Sequence, residues 1–339
     1  TAMPQTNETI LLKLQAALES TRGTDLAATR KVYAQFTPSY SRPLMDFPDQ
    51  SGTFHARRRV GYAREKAGGT ALDICTYEDL PWWLSMGVKG GVSGSADGGT
   101  PAAYTYTFNP TITSDDLKSA TFEFGDSGNP YQISQMMVNS FTLRFDADND
   151  SEPGWMIDVE LIGRDLTTTT FTGSLSDRST EVILARGTKL YIDDAGGTIG
   201  STQKTGSLIK ASITVNNNIH FKAFAEDTTY VAANKVGRGQ QTIDAQFSFE
   251  FDADTEFAKF RSTDAAQRLI RLEQSGSLIH TSSNTYKRMR IDLYGYWNSW
   301  SRSDREGNLT ADFGFAGFYD SSASKTFQIE IVNALSTLP

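Results

Sequence analysis

The chain has 339 residues, of which 38% are hydrophobic and 21% charged, so wholesale disorder is excluded and a packed core is expected. Its 32 basic and 40 acidic residues give a net charge of −8, which argues against a protein that grips a phosphate backbone. Cys75 is the single cysteine, which rules out an intrachain disulfide and fits assembly in a reducing cytoplasm.

The first segments of the chain combine one ambiguous element with one long loop. Thr9–Leu18 is compatible with a short helix by composition and equally with a strand. Thr37–Thr53 contains Pro38, Pro43 and Pro48 among polar residues. A loop of this length is too long for a plain connector in a compact domain, so it is a candidate contact arm.

Two helices are predicted. Thr76–Val88 has Thr76 in the N-cap position and Pro81 near the first turn, where proline is tolerated. Asp254–Glu273 is predicted as a second, longer helix with apolar residues along it. The two helices occupy corresponding places in the two halves of the chain.

A first array of long alternating strands is predicted over Ser119–Asp165. Its apolar residues alternate with polar ones, and the apolar set is Phe141, Leu143, Phe145, Ile157, Val159 and Leu161. Asp158 and Glu160 are among the polar residues in between. A period of two indicates that one face packs on a core while the other meets water.

A second array, Tyr286–Asn333, repeats this pattern, and the order of features supports an internal duplication. Arg186-Gly187-Thr188 echoes Arg22-Gly23-Thr24, and Gly317 matches Gly163 at a similar offset. The polar segment Thr167–Thr180 is the best candidate for a junction. We therefore predict a mainly β chain with two tandem domains, residues 1–170 and 171–339.

The sequence contains no constellation of residues for catalysis or metal binding. Gly125–Gly128 resembles the segment around a serine-protease nucleophile, but the upstream His55 lacks a matching context, and a hairpin turn is the better interpretation. Asp146–Glu152 resembles a calcium loop but has Ser151 and Ile157 where glycine and a carboxylate are required. We predict no enzyme activity and no cofactor.

The aromatic residues leave one alternative open. Tryptophans at 82, 83, 297 and 300 are expected mostly in the core or at an interface. A β-sandwich module that binds carbohydrate or a receptor would instead use an exposed aromatic platform made of Tyr294, Tyr296, Trp297 and Trp300.

The order of features resembles that of tail tube proteins of long, non-contractile-tailed bacteriophages, in the duplicated-domain type. The resemblance lies in Ala17–Thr24, followed by a long loop, strands and a single helix, in Ser212–Asn217, and in the ending Ile329–Asn333. It implies two tandem tail-tube-like β-sandwich or half-barrel domains, each with one flanking helix and a long loop. It also implies trimeric rings of pseudo-sixfold symmetry that stack into a tube for DNA delivery.

The resemblance further implies a virion tail protein, assembled in the host cytoplasm, whose partners are other copies of itself. Tape measure, terminator and distal tail proteins are the other expected partners. Genomic DNA is expected to pass without specific binding, because an acidic wall repels phosphates, and no membrane insertion is expected. Candidate lumen-lining residues are Asp158, Glu160, Arg144, Arg288, Arg290 and Asp292. Candidate inter-ring loop residues are Pro38, Pro43, Met45, Phe47 and Pro48.

Overall fold

The computed structural model describes residues 9–45, 52, 60–111, 113–225, 235–250, 255–263, 266–282, 284–305 and 307–338. Within these residues the protein is mainly β, as predicted, with two short α-helices. Thr9–Leu11 forms a 3-10 turn, and the segment that follows it is a strand rather than a helix. All strand pairings between the named strands are antiparallel.

The described residues of the first half form twelve strands and one α-helix. They are β1 (Lys13–Leu18), β2 (Arg30–Lys31), β3 (Gln35–Ser41), β4 (Leu44–Met45), β5 (Gly61–Tyr62), β6 (Lys66–Ile74), α1 (Leu80–Gly87), β7 (Ser95–Ala96), β8 (Tyr104–Phe108), β9 (Ala120–Gly125), β10 (Pro130–Asp146), β11 (Met156–Gly163) and β12 (Asp165–Thr168).

In the second half, ten strands and one α-helix occur among the residues that the structure describes. They are β13 (Lys189–Asp194), β14 (Gln203–Lys204), β15 (Leu208–Asn216), β16 (Ile219–Phe221), β17 (Val236–Arg238), β18 (Thr242–Glu250), α2 (Thr255–Phe260), β19 (Arg268–His280), β20 (Thr285–Arg305), β21 (Asn308–Gly317) and β22 (Phe327–Asn333).

Two long strands, β10 and β20, each take part in two sheets. The amino-terminal part of β10 pairs with β9 and β12, and its carboxy-terminal part pairs with β11 and β15. The amino-terminal part of β20 pairs with β19 and β22, and its carboxy-terminal part pairs with β21. Each long strand therefore carries the chain from one layer of the fold into the other.

The carboxy-terminal parts of β10 and β20 belong to one eight-stranded antiparallel sheet that runs through both halves. Its order is β3-β6-β11-β10-β15-β18-β21-β20. Strands of the two halves meet at the centre of this sheet, where β10 pairs with β15. One face of the sheet covers a single core cluster to which both halves contribute buried side chains.

The two halves share one pattern of strand pairing. In the first half the pairs run β1–β9, β9–β10, β10–β11, β11–β6 and β6–β3. In the second they run β13–β19, β19–β20, β20–β21, β21–β18 and β18–β15. A bulge interrupts β10 at Asn139 and β20 at Asn298. Just before these bulges Met137 lies opposite Ile162, and in the same position of the second half Tyr296 lies opposite Ala316, so Gly163 and Gly317 each follow at the end of the partner strand.

The halves are also interleaved. Strand β22, near the end of the chain, pairs with β8 of the first half. The Asn333 side chain is fully buried and its Nδ2 donates to the carbonyl of Tyr77 at 2.8 Å. The division at residue 170 remains a prediction, because these contacts cross it.

Helix α1 lies wholly inside the core, and all eight of its residues are buried. Thr76 stabilises the turn that leads into the helix, because its Oγ1 accepts a hydrogen bond from the Asp79 backbone N–H at 3.0 Å. At its other end Gly87 approaches β10 closely, because a Cβ there would lie 2.9 Å from the Phe141 ring. The predicted helix Thr76–Val88 is therefore confirmed in its central part, with Asp79 rather than Thr76 as the N-cap.

The prediction of a long helix over Asp254–Glu273 is wrong for its second part. The helix α2 covers Thr255–Phe260, and Arg268 begins strand β19. Strands β13 and β20 flank β19 on both edges, so backbone pairing there outweighs the helical propensity of the segment. Of the apolar residues on which that prediction rests, Leu269, Ile270 and Leu272 are buried in the sheet, whereas Phe257 and Phe260 lie in α2.

A buried ion cluster joins strand β2, the start of α1 and the segment that links the halves. Asp79 Oδ1 accepts hydrogen bonds from Arg30 at 2.5 Å and from Arg178 at 2.6 Å. The Arg30 guanidinium also lies 4.8 Å from the centre of the Trp82 ring. Burial lowers the pKa of Arg30 to about 10, so the group remains charged near neutral pH.

We expect Asp79→Ala to lower the free energy of unfolding by about 3–5 kcal/mol, because two arginines would lose a shared buried carboxylate. Chemical denaturation measures this. Asp177→Ala is the matched control: Asp177 pairs with Lys31 at 2.7 Å, but its side chain is 76% exposed. That variant should lose little stability, because an exposed ion pair contributes little to folding. Equal losses in the two variants would contradict the role assigned to the buried cluster.

Asp73 is a buried carboxyl on the core side of β6. Its Oδ2 accepts a hydrogen bond from Trp83 Nε1 at 3.2 Å. Burial is the main cause that raises the pKa of Asp73 to about 6, whereas the Trp83 hydrogen bond and Arg30 act in the opposite direction. The folded protein therefore holds this proton more tightly than the unfolded chain, and stability falls as pH rises from about 4 to about 6.

We expect Asp73→Asn to be more stable than the unmodified protein at pH 8, by up to about 3 kcal/mol, because the variant never buries a charge. At pH 4 the difference should shrink toward zero, since the unmodified carboxyl is then protonated. Unfolding curves of both proteins at the two pH values test this, and a pH-independent difference would refute it.

Candidate functional surface

The eight-stranded sheet turns one face away from the core, and we call this surface the polar face. Its side chains are the alternate residues of the eight strands, and most are polar and at least partly exposed. Members include Thr37, Ser39, Thr70, Ser140, Thr142, Arg144, Asp158, Glu160, Ser212, Thr214, Asn216, Asp244, Gln246, Asp312, Ser299 and Ser301.

The opposite face shows why these strands form where they do. Residues in the intervening positions are apolar and buried in the core, among them Phe141, Leu143, Val159, Ile213 and Phe247. A shift of register by one residue would exchange the two faces, so the alternation fixes which side chains face water. The predicted alternation of the first array is confirmed.

Arg144 binds two carboxylates in the part of the polar face that the first half of the chain contributes. Its Nε donates to Asp158 Oδ2 at 2.7 Å, and its Nη1 donates to Glu152 Oε2 at 2.6 Å. Hydrogen bonding by Glu152 is the largest cause that raises the pKa of Arg144, and the same contact lowers the pKa of Glu152. The charge of Asp158 is therefore largely offset by a fixed cation.

Other carboxylates on the polar face have no paired cation to balance their negative charge among the described residues. Glu160 accepts hydrogen bonds from Ser140 Oγ at 2.8 Å and from Asn139 Nδ2 at 3.2 Å. Asp312 accepts from the hydroxyls of Ser248 and Ser303, the latter at 2.8 Å. Within the described part of the chain these carboxylates form no ion pair with a cation. The polar face is thus lined mainly by hydroxyls and carboxylates. Its cations include Arg144 in its ion pairs and the exposed Lys210, which lies opposite Asp146 and Ser248.

The remaining lumen candidates lie elsewhere. Arg288, Arg290 and Asp292 are on the amino-terminal part of β20, which pairs with β19 and β22 and is outside the eight-stranded sheet. Arg288 pairs with Glu330 at 2.8 Å, Arg290 pairs with Glu273, and Asp292 accepts two hydrogen bonds from Arg271 at 2.7 and 2.8 Å. The structure therefore brings together Arg144, Asp158 and Glu160, and places the other three in local ion pairs.

The predicted loop Thr37–Thr53 is wrong in its first residues, because Gln35–Ser41 is strand β3. Among the described strands β3 pairs with β6 on one side only, and a strand at the edge of a sheet tolerates a proline such as Pro38. Pro43 follows the strand, and Met45 ends strand β4, which pairs with β5 in a small two-stranded ribbon. Phe47 and Pro48 lie outside the described residues, so an inter-ring role of this segment remains a prediction.

The structure does not form the aromatic platform of the alternative hypothesis. Trp297 is 7% exposed, and its ring lies 5.0 Å from that of Phe313 and 5.5 Å from that of Phe315. Its Nε1 donates to Glu256 at 3.0 Å. Tyr294 is 6% exposed, so half of the four-residue set faces inward.

The candidate chemical motifs are turns. The segment Gly125–Gly128 connects β9 to β10, and Asp126 Oδ1 accepts from the backbone of Gly128 at 2.6 Å and of Asn129 at 2.9 Å. Asp146–Glu152 connects β10 to β11. No group of three or more His, Cys, Asp or Glu suited to a metal ion occurs among the residues that the structure describes. No helix in those residues is long and apolar enough to span a membrane.

Sequence reasoning missed the second-half contribution to the polar face. Asp244, Gln246 and Ser248 alternate with buried Ile243, Ala245 and Phe247. That alternation was visible in the sequence and identified a strand, but only its pairing with β15 and β21 places it beside the first-half residues.

Comparison with known proteins agrees with this architecture. The sequence model of the phage tail tube protein family matches residues 10–291, which is most of the chain. No curated protein matches the chain closely enough to count as a relative. The match spans strands of both halves and six strands of the eight-stranded sheet, and it ends before β21 and before the carboxy-terminal part of β20. The chain therefore belongs to the phage tail tube protein family.

Proposed function

We propose that the protein forms rings that stack into a phage tail tube, the conduit for DNA delivery into the host. The observation that carries this proposal is the polar face of the eight-stranded sheet: a broad, wetted β surface in a tail tube family member. In the described residues this sheet does not close on itself, since β3 and the carboxy-terminal part of β20 each have one neighbour in it. A ring of several copies is one way to close it.

The repeated pairing pattern supports a trimer with pseudo-sixfold symmetry. Each half supplies four strands of the sheet, β3, β6, β11 and β10 in the first and β15, β18, β21 and β20 in the second. Three chains would supply about 24 strands, more than the roughly 16–18 that already enclose a water-filled channel. We therefore retain two tail-tube-like units, residues 1–170 and 171–339, as an internal duplication.

We assign the polar face to the lumen. Hydroxyl side chains and carboxylates without a cation partner offer a passing duplex no phosphate-binding site. Arg144 is a cation in the middle of this face, and its bonds to Glu152 and Asp158 offset its charge. The exposed Lys210 lies at the end of the face, opposite Asp146, the last residue of β10. Arg288, Arg290 and Asp292 remain weaker candidates, because they are already paired outside the eight-stranded sheet.

The proposal also covers the contacts between rings and the partners at the ends of the tube. The ribbon of β4 and β5 exposes Leu44 and Met45, which are 50% and 59% exposed, and it is the described portion of the proposed inter-ring arm with Pro43. Tape measure, terminator and distal tail proteins are the proposed partners at the tube ends. The role is structural rather than enzymatic, in the virion tail after assembly in the host cytoplasm.

We expect Asp158→Asn with Glu160→Gln to leave the tube diameter unchanged in negative-stain images and to impair DNA delivery. The reason is that Arg144 would lose one of its two carboxylate partners and could bind phosphates electrostatically. Infectivity and DNA release from tailed particles measure the defect. Higher salt should reduce it, because screening weakens the attraction.

The matched control is Glu273→Gln with Glu330→Gln, which removes two carboxylates that pair with Arg288 and Arg290 outside the eight-stranded sheet. This control should deliver DNA normally once its tubes are intact. Unchanged infectivity of the Asp158/Glu160 variant, or an equal defect in the control, would count against the lumen assignment.

A further inference from the structure

We infer that β3 of one copy pairs with the carboxy-terminal part of β20 in a neighbouring copy, in the register that β10 and β15 already show within one chain. This inference rests on the proposed ring and names the strands and residues that would join one copy to the next. The partner is a second copy of this chain.

Two strand edges are open at the ends of the eight-stranded sheet. Among the described strands, β3 pairs only with β6, and β20 beyond Asn298 pairs only with β21. All residues of β3 except Phe36 are exposed, and Ser299 and Ser301–Asp304 of β20 are exposed too. Unpaired backbone groups of this kind are a template for another strand, so natural proteins cover them or pair them.

The first step in finding the register is the equivalence of β10 and β20. In β10 the pair Val138–Leu161 precedes a bulge and Ser140–Glu160 follows it. In β20 the pair Trp297–Phe315 precedes a bulge and Ser299–Gly314 follows it. Counted from the bulges, Thr142 corresponds to Ser301, and Phe141 corresponds to Trp300.

The second step is the equivalence of β15 and β3. Leu161 lies opposite Gly69 on β6, and Phe315, its counterpart, lies opposite Ala245 on β18. Gly69 in turn lies opposite Pro38, and Ala245 lies opposite Ile213. Pro38 therefore corresponds to Ile213, which makes Ser39 the counterpart of Thr214 and Tyr40 the counterpart of Val215.

The central junction of the chain then predicts the contact between copies. There Thr142 lies opposite Thr214, and their hydroxyls are 2.8 Å apart. The same register between copies places Ser301 opposite Ser39 of the next copy, so two hydroxyl side chains would again face each other. The same count gives three more pairs between copies. Trp300 would lie opposite Tyr40, as Phe141 lies opposite Val215 within the chain. Ser299 would lie opposite Ser41, as Ser140 does opposite Asn216, and Arg302 opposite Pro38, as Leu143 does opposite Ile213.

The chemistry of these positions suits such a junction. The Trp300–Tyr40 pair would cover a tyrosine that is 46% exposed in the single chain, and aromatic pairs across strands are stabilising. Pro38 has no backbone N–H, so β3 can donate one hydrogen bond fewer than β15 does. Arg302 also stands where the central junction has the buried Leu143. The junction between copies is thus more polar than the one within the chain.

Disulfide trapping tests the register in tubes of the full chain. Ser39→Cys with Ser301→Cys should yield covalently linked dimers and trimers on non-reducing gels, and so should Ser41→Cys with Ser299→Cys. Ser41→Cys with Ser303→Cys is the matched offset control, because its cysteines would lie four residues apart along the strand, about 13 Å. Such a gap exceeds the reach of a disulfide.

Thr142→Cys with Thr214→Cys is an intrachain control, and it should form only a bond within one chain. The native Cys75 is 2% exposed and should not interfere.

The outcomes separate this inference from the proposed function. Linked trimers from both predicted pairs and none from the offset control support the register. Tubes in electron micrographs without links in either predicted pair, or with links in the offset control, overturn the register and leave the tube intact. If the unmodified protein forms neither rings nor tubes, the proposed function fails and this inference with it.

Discussion

Backbone hydrogen bonding at strand edges is the constraint on which the rest of this structure depends. Each inner strand of the eight-stranded sheet must satisfy two rows of N–H and C=O groups. Strand β10 does so by changing neighbours along its length, from β9 and β12 to β15 and β11. The same change occurs in β20, except that among the described strands its carboxy-terminal part has a partner on one side only. This difference places β10 at the centre of the eight-stranded sheet and the carboxy-terminal part of β20 at its edge.

The division into a core face and a polar face follows from that pairing. Once β11, β10, β15 and β18 are locked in register, Phe141, Val159, Ile213 and Phe247 all point to the same side. The hydrophobic side then needs a cover, which α1 supplies in the first half with Trp82 and Trp83. The wetted side needs none, and its hydroxyls, amides and carboxylates bond to one another.

The sequence was sufficient for those features that depend on local periodicity. The alternation around Phe141 and Ile157 identified strands and their wetted face, and Pro81 with Thr76 located α1. Features that depend on pairing were misread. Leu269, Ile270 and Leu272 have helical spacing but lie in β19, because two neighbouring strands determine their conformation. Pro38 indicated a loop, although an edge strand accepts it. The sequence also gave no signal that Arg288 and Arg290 are engaged by Glu330 and Glu273, since those contacts bridge separate strands.

The pairing of β22 with β8 has a consequence for how the protein is made. Strand β8 leaves the ribosome long before residues 327–333, so one of its edges waits for the rest of the chain to be translated. Asn333 and the Leu335 carbonyl, which bind Tyr77 and the Tyr106 hydroxyl, arrive later still. A nascent first half is therefore incomplete however long it dwells, and a prematurely terminated chain cannot finish it. Completion of the sheet around β8 therefore waits for synthesis of residues 327–333, whereas β3, whose residues are mostly exposed, is made early in translation.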